Sequence, residues 1–198
     1  RRLVESYQVK ALVVACNTAT AAAMPMLRAE HADIPTVGLE PALKPAAAMT
    51  RTGRVAVFAT RGTLSSARFK ALAATLQGSA EFVLQPCDGL AAAIEAADEA
   101  EVRRLCHHYL ECAGSFGHAQ GQIDTLVHGC TDYAFARKEF EDALCPGIQI
   151  LETSEPVARQ TRRMLEASGI ASSIGTSRVD LVTTGDERLM RMAAQRWL

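Results

Sequence analysis

Several absences narrow this chain before anything else does. Its 198 residues carry 21 Lys and Arg against 22 Asp and Glu, a formal net charge of −1. There is thus no basic excess of the kind that binds nucleic acid or an anionic membrane surface. No apolar run approaches the roughly 20 residues that span a bilayer. Arg1-Arg2-Leu3-Val4-Glu5 leads into no continuous apolar stretch, so no secretory signal is read there. There is no low-complexity linker and no recognisable cofactor motif. The sequence does not begin with Met but opens inside what reads as a helix, Arg1 to Tyr7. An α/β protein usually opens on a strand, so an N-terminal portion is expected to be missing.

What remains has ordinary globular composition, 48% apolar and 22% charged, and is long enough for one large or two small domains. Six cysteines in an aliphatic chain without secretory context read as reduced thiols of a cytoplasmic protein, not as a disulfide framework. Short aliphatic runs alternate with helical stretches, the pattern of βαβ units around a parallel sheet. Strands are expected at Ala11–Ala15, Pro35–Leu39, Arg54–Ala59, Glu81–Leu84, Thr125–His128, Ile148–Leu151 and Val179–Thr183. Thr63, Asp88, Ser154 and Asp186 are expected to cap helices, and Gly169 to end one. Glu99–Ala113 has the cleanest helical period, with Val102, Leu105, Cys106, Tyr109, Leu110 and Ala113 on one stripe. The last helix is expected to turn Leu189, Met192, Ala193 and Trp197 inward.

One internal echo carries chemistry. Leu12-Val13-Val14-Ala15-Cys16 parallels Leu126-Val127-His128-Gly129-Cys130: an aliphatic strand ends on a small residue, then a thiol, then polar residues that can open a helix. Ligands in open α/β sheets bind at such strand ends. Two thiols facing each other across a cleft, one ionised and one neutral, could remove a proton from one face of a carbon and return one to the other. A free thiol is only a few per cent ionised at neutral pH, so each needs help from helix amides, hydroxyls or a neighbouring acid or base. Asn17 and Thr18 after Cys16, Thr131 and Asp132 after Cys130, and the Thr60 to Thr63 turn are the candidate anion-binding groups. Cys87, Cys106, Cys112 and Cys145 read as structural. His128 reads as a core or supporting residue. Cys106-His107-His108 with Cys112 is not a metal site, because on a helix Cys106 points into the apolar stripe while the histidines point elsewhere.

Ala15-Cys16-Asn17-Thr18-Ala19-Thr20 and Gly129-Cys130-Thr131-Asp132-Tyr133 resemble the two cysteine signatures of bacterial glutamate racemases. Between them, Val37-Gly38-Leu39-Glu40-Pro41 resembles the family's glutamate-proline crossover. Gly53 to Thr63 is similar to its second-domain opening strand and turn, and Thr183-Thr184-Gly185-Asp186 to its C-terminal pattern. The resemblance implies an α/β fold of two similar domains, each with a mainly parallel sheet flanked by helices and the active site in the cleft between them. Residues 1–43 and 155–198 would form the first domain and 44–154 the second. It also implies interconversion of L- and D-glutamate without pyridoxal phosphate or a metal, supplying D-glutamate for peptidoglycan, in a cytoplasmic homodimer. Cys16 and Cys130 would be the acid/base thiols, with Asp132 assisting. Asn17, Thr18, Thr60, Thr63, Thr131 and Asp132 would bind substrate.

The sequence departs from the family pattern in four places. The family's opening Asp-Ser-Gly and later Pro-Tyr-Gly do not occur, and the chain as given is expected to be inactive or nearly so. Asp132 stands where the family usually has His, a carboxylate that related aspartate racemases also carry, and Ala134 replaces a Pro. A racemase for aspartate or another amino acid, and a non-catalytic chain that binds a ligand or protein, are the other readings these departures allow.

Overall fold

A computed structural model describes residues 2–172 and 178–197. The elements are α1 (Arg2–Tyr7), β1 (Leu12–Val14), α2 (Asn17–Glu30), β2 (Thr36–Gly38), α3 (Leu43–Met49), β3 (Arg54–Ala59), α4 (Arg61–Ser65), α5 (Ala67–Ala74) and β4 (Glu81–Pro86). They continue with α6 (Leu90–Glu95), α7 (Glu99–Ala113), β5 (Thr125–His128), a 3₁₀ turn (Thr131–Ala136), α8 (Arg137–Ala143), β6 (Gln149–Leu151), α9 (Ser154–Ala167) and α10 (Glu187–Trp197). The strands form two parallel sheets, β1-β2 and β4-β3-β5-β6. Among the described residues no helix is long and apolar enough to cross a membrane.

The four-stranded sheet follows from continuous aliphatic runs whose alternate side chains enter different cores. Ala56, Phe58 and Leu126 face α6, α7 and α8, while Val55, Val57 and Val127 face α3 and α5. β3 and β5 lie at the centre, in register from Val55 opposite Thr125 to Phe58 opposite His128. The chain leaves β3 toward β4 on one side and returns to β5 on the other. The strand order therefore reverses between β3 and β5, which opens a crevice at their carboxyl ends. At the opposite end the buried Asp124 carboxylate accepts hydrogen bonds from Thr50 Oγ1 and from the Arg51 and Thr52 amides, and so fixes the entry to β3.

Six of the seven expected strands are present, two with coincident limits. Val179–Thr183 is not a strand. Val179, Leu181 and Val182 are 72%, 43% and 44% exposed, and a β-prone run without a neighbouring strand has nothing to bond its backbone. The helix expected from Arg1 runs Arg2–Tyr7, Arg1 lying outside the described residues. The α7 stripe is buried as read. Asp186 Oδ1 caps α10 by accepting from the Arg188 and Leu189 amides. Gly169 follows α9 with φ +67°, the left-handed conformation that ends helices.

Three caps are displaced by one turn or less. Thr60 and Ser66, not Thr63, accept from the first-turn amides of α4 and α5. Gly89 precedes α6, because the Asp88 carboxylate is taken by Arg61. Thr153 occupies the position before α9, with Ser154 its first residue. The inner face of α10 is also rotated from expectation: Leu189 and Met192 are each 58% exposed. Trp197 stacks on Phe135 at 4.5 Å between ring centroids, and that anchor sets the helix rotation.

Candidate active site

The site is built from three strand ends. β1 leads through Ala15 to Cys16, β3 to Thr60, and β5 through Gly129 to Cys130. The two thiols occupy equivalent local positions. Cys16 is the N-cap of α2 in extended conformation (φ −151°, ψ 125°), and Cys130 the N-cap of the 3₁₀ turn (φ −129°, ψ 139°). An extended N-cap points its side chain past the helix start, where the first-turn N–H groups lack carbonyl partners and favour negative charge. Cys16 is exposed and Cys130 half-buried.

The two loops hold each other by reciprocal hydrogen bonds. Asn17 Nδ2 donates to the Gly129 carbonyl at 2.9 Å, and Thr131 Oγ1 donates to the Ala15 carbonyl at 3.2 Å. In each case the residue after one cysteine bonds the residue before the other, so the echo in sequence becomes a two-way clasp in space. Gly129 is required here by close approach. A Cβ would sit 2.7 Å from Ala59 Cβ and 3.1 Å from the Phe58 carbonyl, to which the Gly129 amide donates at 2.7 Å.

Beside the clasp, three hydroxyls meet. Thr18 Oγ1 lies 3.0 Å from both Thr60 Oγ1 and Thr63 Oγ1, and these two are 3.1 Å apart. Thr18 comes from α2, Thr60 and Thr63 from the turn after β3, so the cluster joins the two sheets at the crevice between β3 and β5. On the other side, Cys130 Sγ–H donates to Asp132 Oδ2 at 3.3 Å. Burial, with further contributions from the Asp132 charge and from Cys16, pushes the Cys130 thiol up to about 12; the Asp132 backbone amide opposes this only in part. Cys130 therefore rests as a neutral thiol. Thr131 and Asp132 also line an open, largely apolar cavity of about 1410 Å³ that reaches α9.

All eight candidate residues thus converge on one region: Cys16, Asn17, Thr18, Thr60, Thr63, Cys130, Thr131 and Asp132. Of the other cysteines, Cys87 and Cys106 are buried, and burial raises both thiols. Cys106 is buried while His107 and His108 are exposed, so that trio does not converge. His128 is buried against Tyr133 and Phe140. Sequence reasoning missed the ion pair of Arg68 with Glu40 behind Asn17. Nothing in the sequence pairs residues 28 positions apart on a loop and a helix.

Residues 2–161 match the family described as Asp/Glu/Hydantoin racemase. The chain belongs to that family. It is 42% identical over 179 residues to the glutamate racemase of Pseudomonas syringae pv. tomato, covering 89% of this chain and 63% of the relative. It is 42% identical over 192 residues to that of Stutzerimonas stutzeri, covering 95% and 70%. Among solved structures it resembles glutamate racemases of Bacillus anthracis and Escherichia coli, each with TM-score 0.77 and 28% identity over 98% of this chain. Those matches cover 72% and 73% of the respective structures, and the Escherichia coli one contains L-glutamate and an activator, UDP-MurNAc-ala. The chain spans less than two thirds of the length of several Pseudomonas glutamate racemases.

Proposed function

We propose that this chain carries the two-thiol centre of a glutamate racemase, which interconverts L- and D-glutamate by proton transfer at Cα and supplies D-glutamate for peptidoglycan in the cytoplasm. The observation that carries the reading is the pair of cysteines at equivalent strand ends, clasped through Asn17 and Thr131. Cys130, resting neutral, is the acid. Cys16 supplies the thiolate that takes the Cα proton, leaving a carbanion delocalised into the α-carboxylate. Cys130 then delivers its proton to the opposite face, which inverts the centre and exchanges the two protonation states. Asp132 accepts the Cys130 S–H bond and is the group through which that thiol is reset. The Thr18, Thr60 and Thr63 hydroxyls, with Asn17 and Thr131, are assigned to holding the substrate carboxylate and its surroundings. Residues 1–43 with 155–198, and 44–154, are taken as the two domains around the two sheets, and a homodimer as the assembly.

The second reading, a racemase for aspartate or another amino acid, is favoured by the Asp132 carboxylate on Cys130. Asp132 stands where glutamate racemases usually carry His, a position at which related aspartate racemases carry a carboxylate. One experiment separates the two. Each enantiomer of glutamate and aspartate is incubated with the protein in D₂O, and loss of the α-proton signal is followed by NMR. For the protein extended at its N-terminus by the family's Asp-Ser-Gly and Pro-Tyr-Gly segments, the expected result is exchange of both glutamate enantiomers, abolished by Cys16→Ala and by Cys130→Ala; the chain as given is expected to exchange little or not at all. Exchange of aspartate alone selects the second reading, and exchange surviving either substitution rejects the two-thiol scheme.

A further inference from the structure

Two buried polar atoms behind the clasp remain unexplained by it. Asn17 is 5% exposed, and its Nδ2 is engaged by Gly129, but its Oδ1 is buried without a hydrogen-bond partner. Arg68, on the first turn of α5, pairs through Nη2 with Glu40, and its Nε is likewise buried without a partner. One is an acceptor and the other a donor. Both residues line the same small pocket, shared with Glu40, Pro41, Thr63 and Ser66, which leaves about 10 Å³ for water centres. That is room for a single water, and in a pocket otherwise lined by Ala21, Leu39, Phe69 and Leu72 the Asn17 and Arg68 atoms supply the two polar partners it needs. A carboxamide oxygen buried without a partner is destabilising, and a bridging water restores the missing hydrogen bond.

We propose that Arg68 is a positioning residue for the site, its Nε–H holding the Asn17 carboxamide oxygen through one buried water. The consequence follows from the geometry of an amide. Rotating the Asn17 carboxamide by half a turn would set Oδ1 against the Gly129 carbonyl, oxygen facing oxygen, and break half of the clasp between the thiol loops. A donor on the Oδ1 side selects the bonding orientation. Arg68 in turn is held by Glu40, in the loop that follows β2, so the crossover between the sheets and the start of α5 both bear on the position of Asn17. The consequence for catalysis rests on the racemase reading, whereas the contact itself does not.

The test uses isosteres. Arg68→Gln places an amide nitrogen where Nε stands while removing the ion pair with Glu40. Arg68→Met places a methyl there, and Arg68→Lys keeps the charge but puts a methylene at that position. The readout is solvent exchange of the Asn17 side-chain NH₂ by ¹H–¹⁵N NMR, without substrate. Arg68→Met and Arg68→Lys are expected to speed exchange about tenfold, and Arg68→Gln to stay within about twofold of the parent. Unchanged exchange in the Met and Lys variants, or a Gln variant as fast as those two, overturns the proposal. Where racemisation is measurable, the Met variant loses kcat with KM nearly fixed. Racemisation absent even from a parent extended at its N-terminus by the family's Asp-Ser-Gly and Pro-Tyr-Gly segments would reject the racemase reading while leaving the exchange result to decide the contact.

Discussion

His128 lends itself to a quantitative test. It ends β5, is 2% exposed, and has neither ring nitrogen hydrogen-bonded. Tyr133 and Phe140 pack around it, and burial, with a smaller contribution from the Arg137 charge, depresses its pKa from the usual 6.5 to about 3. The imidazole is therefore neutral in the fold, whereas the unfolded chain takes up a proton below pH 6.5. Stability attributable to this group is fully present above 6.5 and is lost as pH falls from there toward 3. Each pH unit in that window removes about 1.4 kcal/mol, so about 2 kcal/mol is gone near pH 5. Leu is of similar volume and has no polar atoms to leave unpaired. His128→Leu should raise stability at neutral pH by about 1–3 kcal/mol, with a further gain of about 2 kcal/mol over the parent near pH 5. Urea unfolding of both proteins at the two pH values measures this directly. Carboxylates such as Asp124 are common to both proteins and cancel in the difference. A constant gap between parent and variant across the pH range would refute the neutral-imidazole argument. Destabilisation at neutral pH would show that the ring nitrogens have partners.

The two thiols should differ in reactivity, and Asp132→Asn should narrow the difference. At about pH 8, iodoacetamide should label exposed Cys16 well before Cys130, and the substitution should raise Cys130 labelling about tenfold by removing the charge that opposes its thiolate. Peptide mass spectrometry checks both, and labelling of Cys130 that is indifferent to residue 132 would contradict the assignment. Gly129→Ala should destabilise the protein by about 1–3 kcal/mol, because the added Cβ meets Ala59 and the Phe58 carbonyl in a packed interior. An unchanged denaturation midpoint would show that the β3 to β5 approach is looser than described.

Strand cores were legible because a parallel sheet buried on both faces leaves an uninterrupted aliphatic signature, as in Arg54–Ala59 and Thr125–His128. Val179-Asp180-Leu181-Val182-Thr183 is β-prone though broken by Asp180, and it is not a strand, since pairing depends on a neighbour that composition cannot report. The displaced Thr63 cap has a local cause. Thr60, Thr63 and Ser66 are all good caps, and which of them meets a helix amide depends on where the chain turns after β3, not on residue type. α10 was misrotated because its periodicity fits two faces, and the contact of Trp197 with Phe135 decides between them. That the candidate residues lie together at strand ends and turns was legible, because each is adjacent in sequence to one. Their mutual contacts were not.

The clasp changes what the repeated motif means. Read along the chain, Cys16 and Cys130 are two copies of one arrangement, each followed by polar groups available to a ligand. In space, Asn17 and Thr131 each spend a donor on the carbonyl preceding the opposite cysteine, so part of what sequence marks as ligand-binding is committed to fixing one thiol loop against the other. The environments then diverge. Cys130 lies on a central strand's end, half-buried and bonded to a carboxylate, whereas Cys16 lies exposed at the end of a two-stranded sheet. A proton transfer that runs in both directions requires one thiol charged and the other neutral at any moment. Under the proposed mechanism, burial favours the neutral state at Cys130, while the clasp ties the two thiol loops to each other in the same way from both sides.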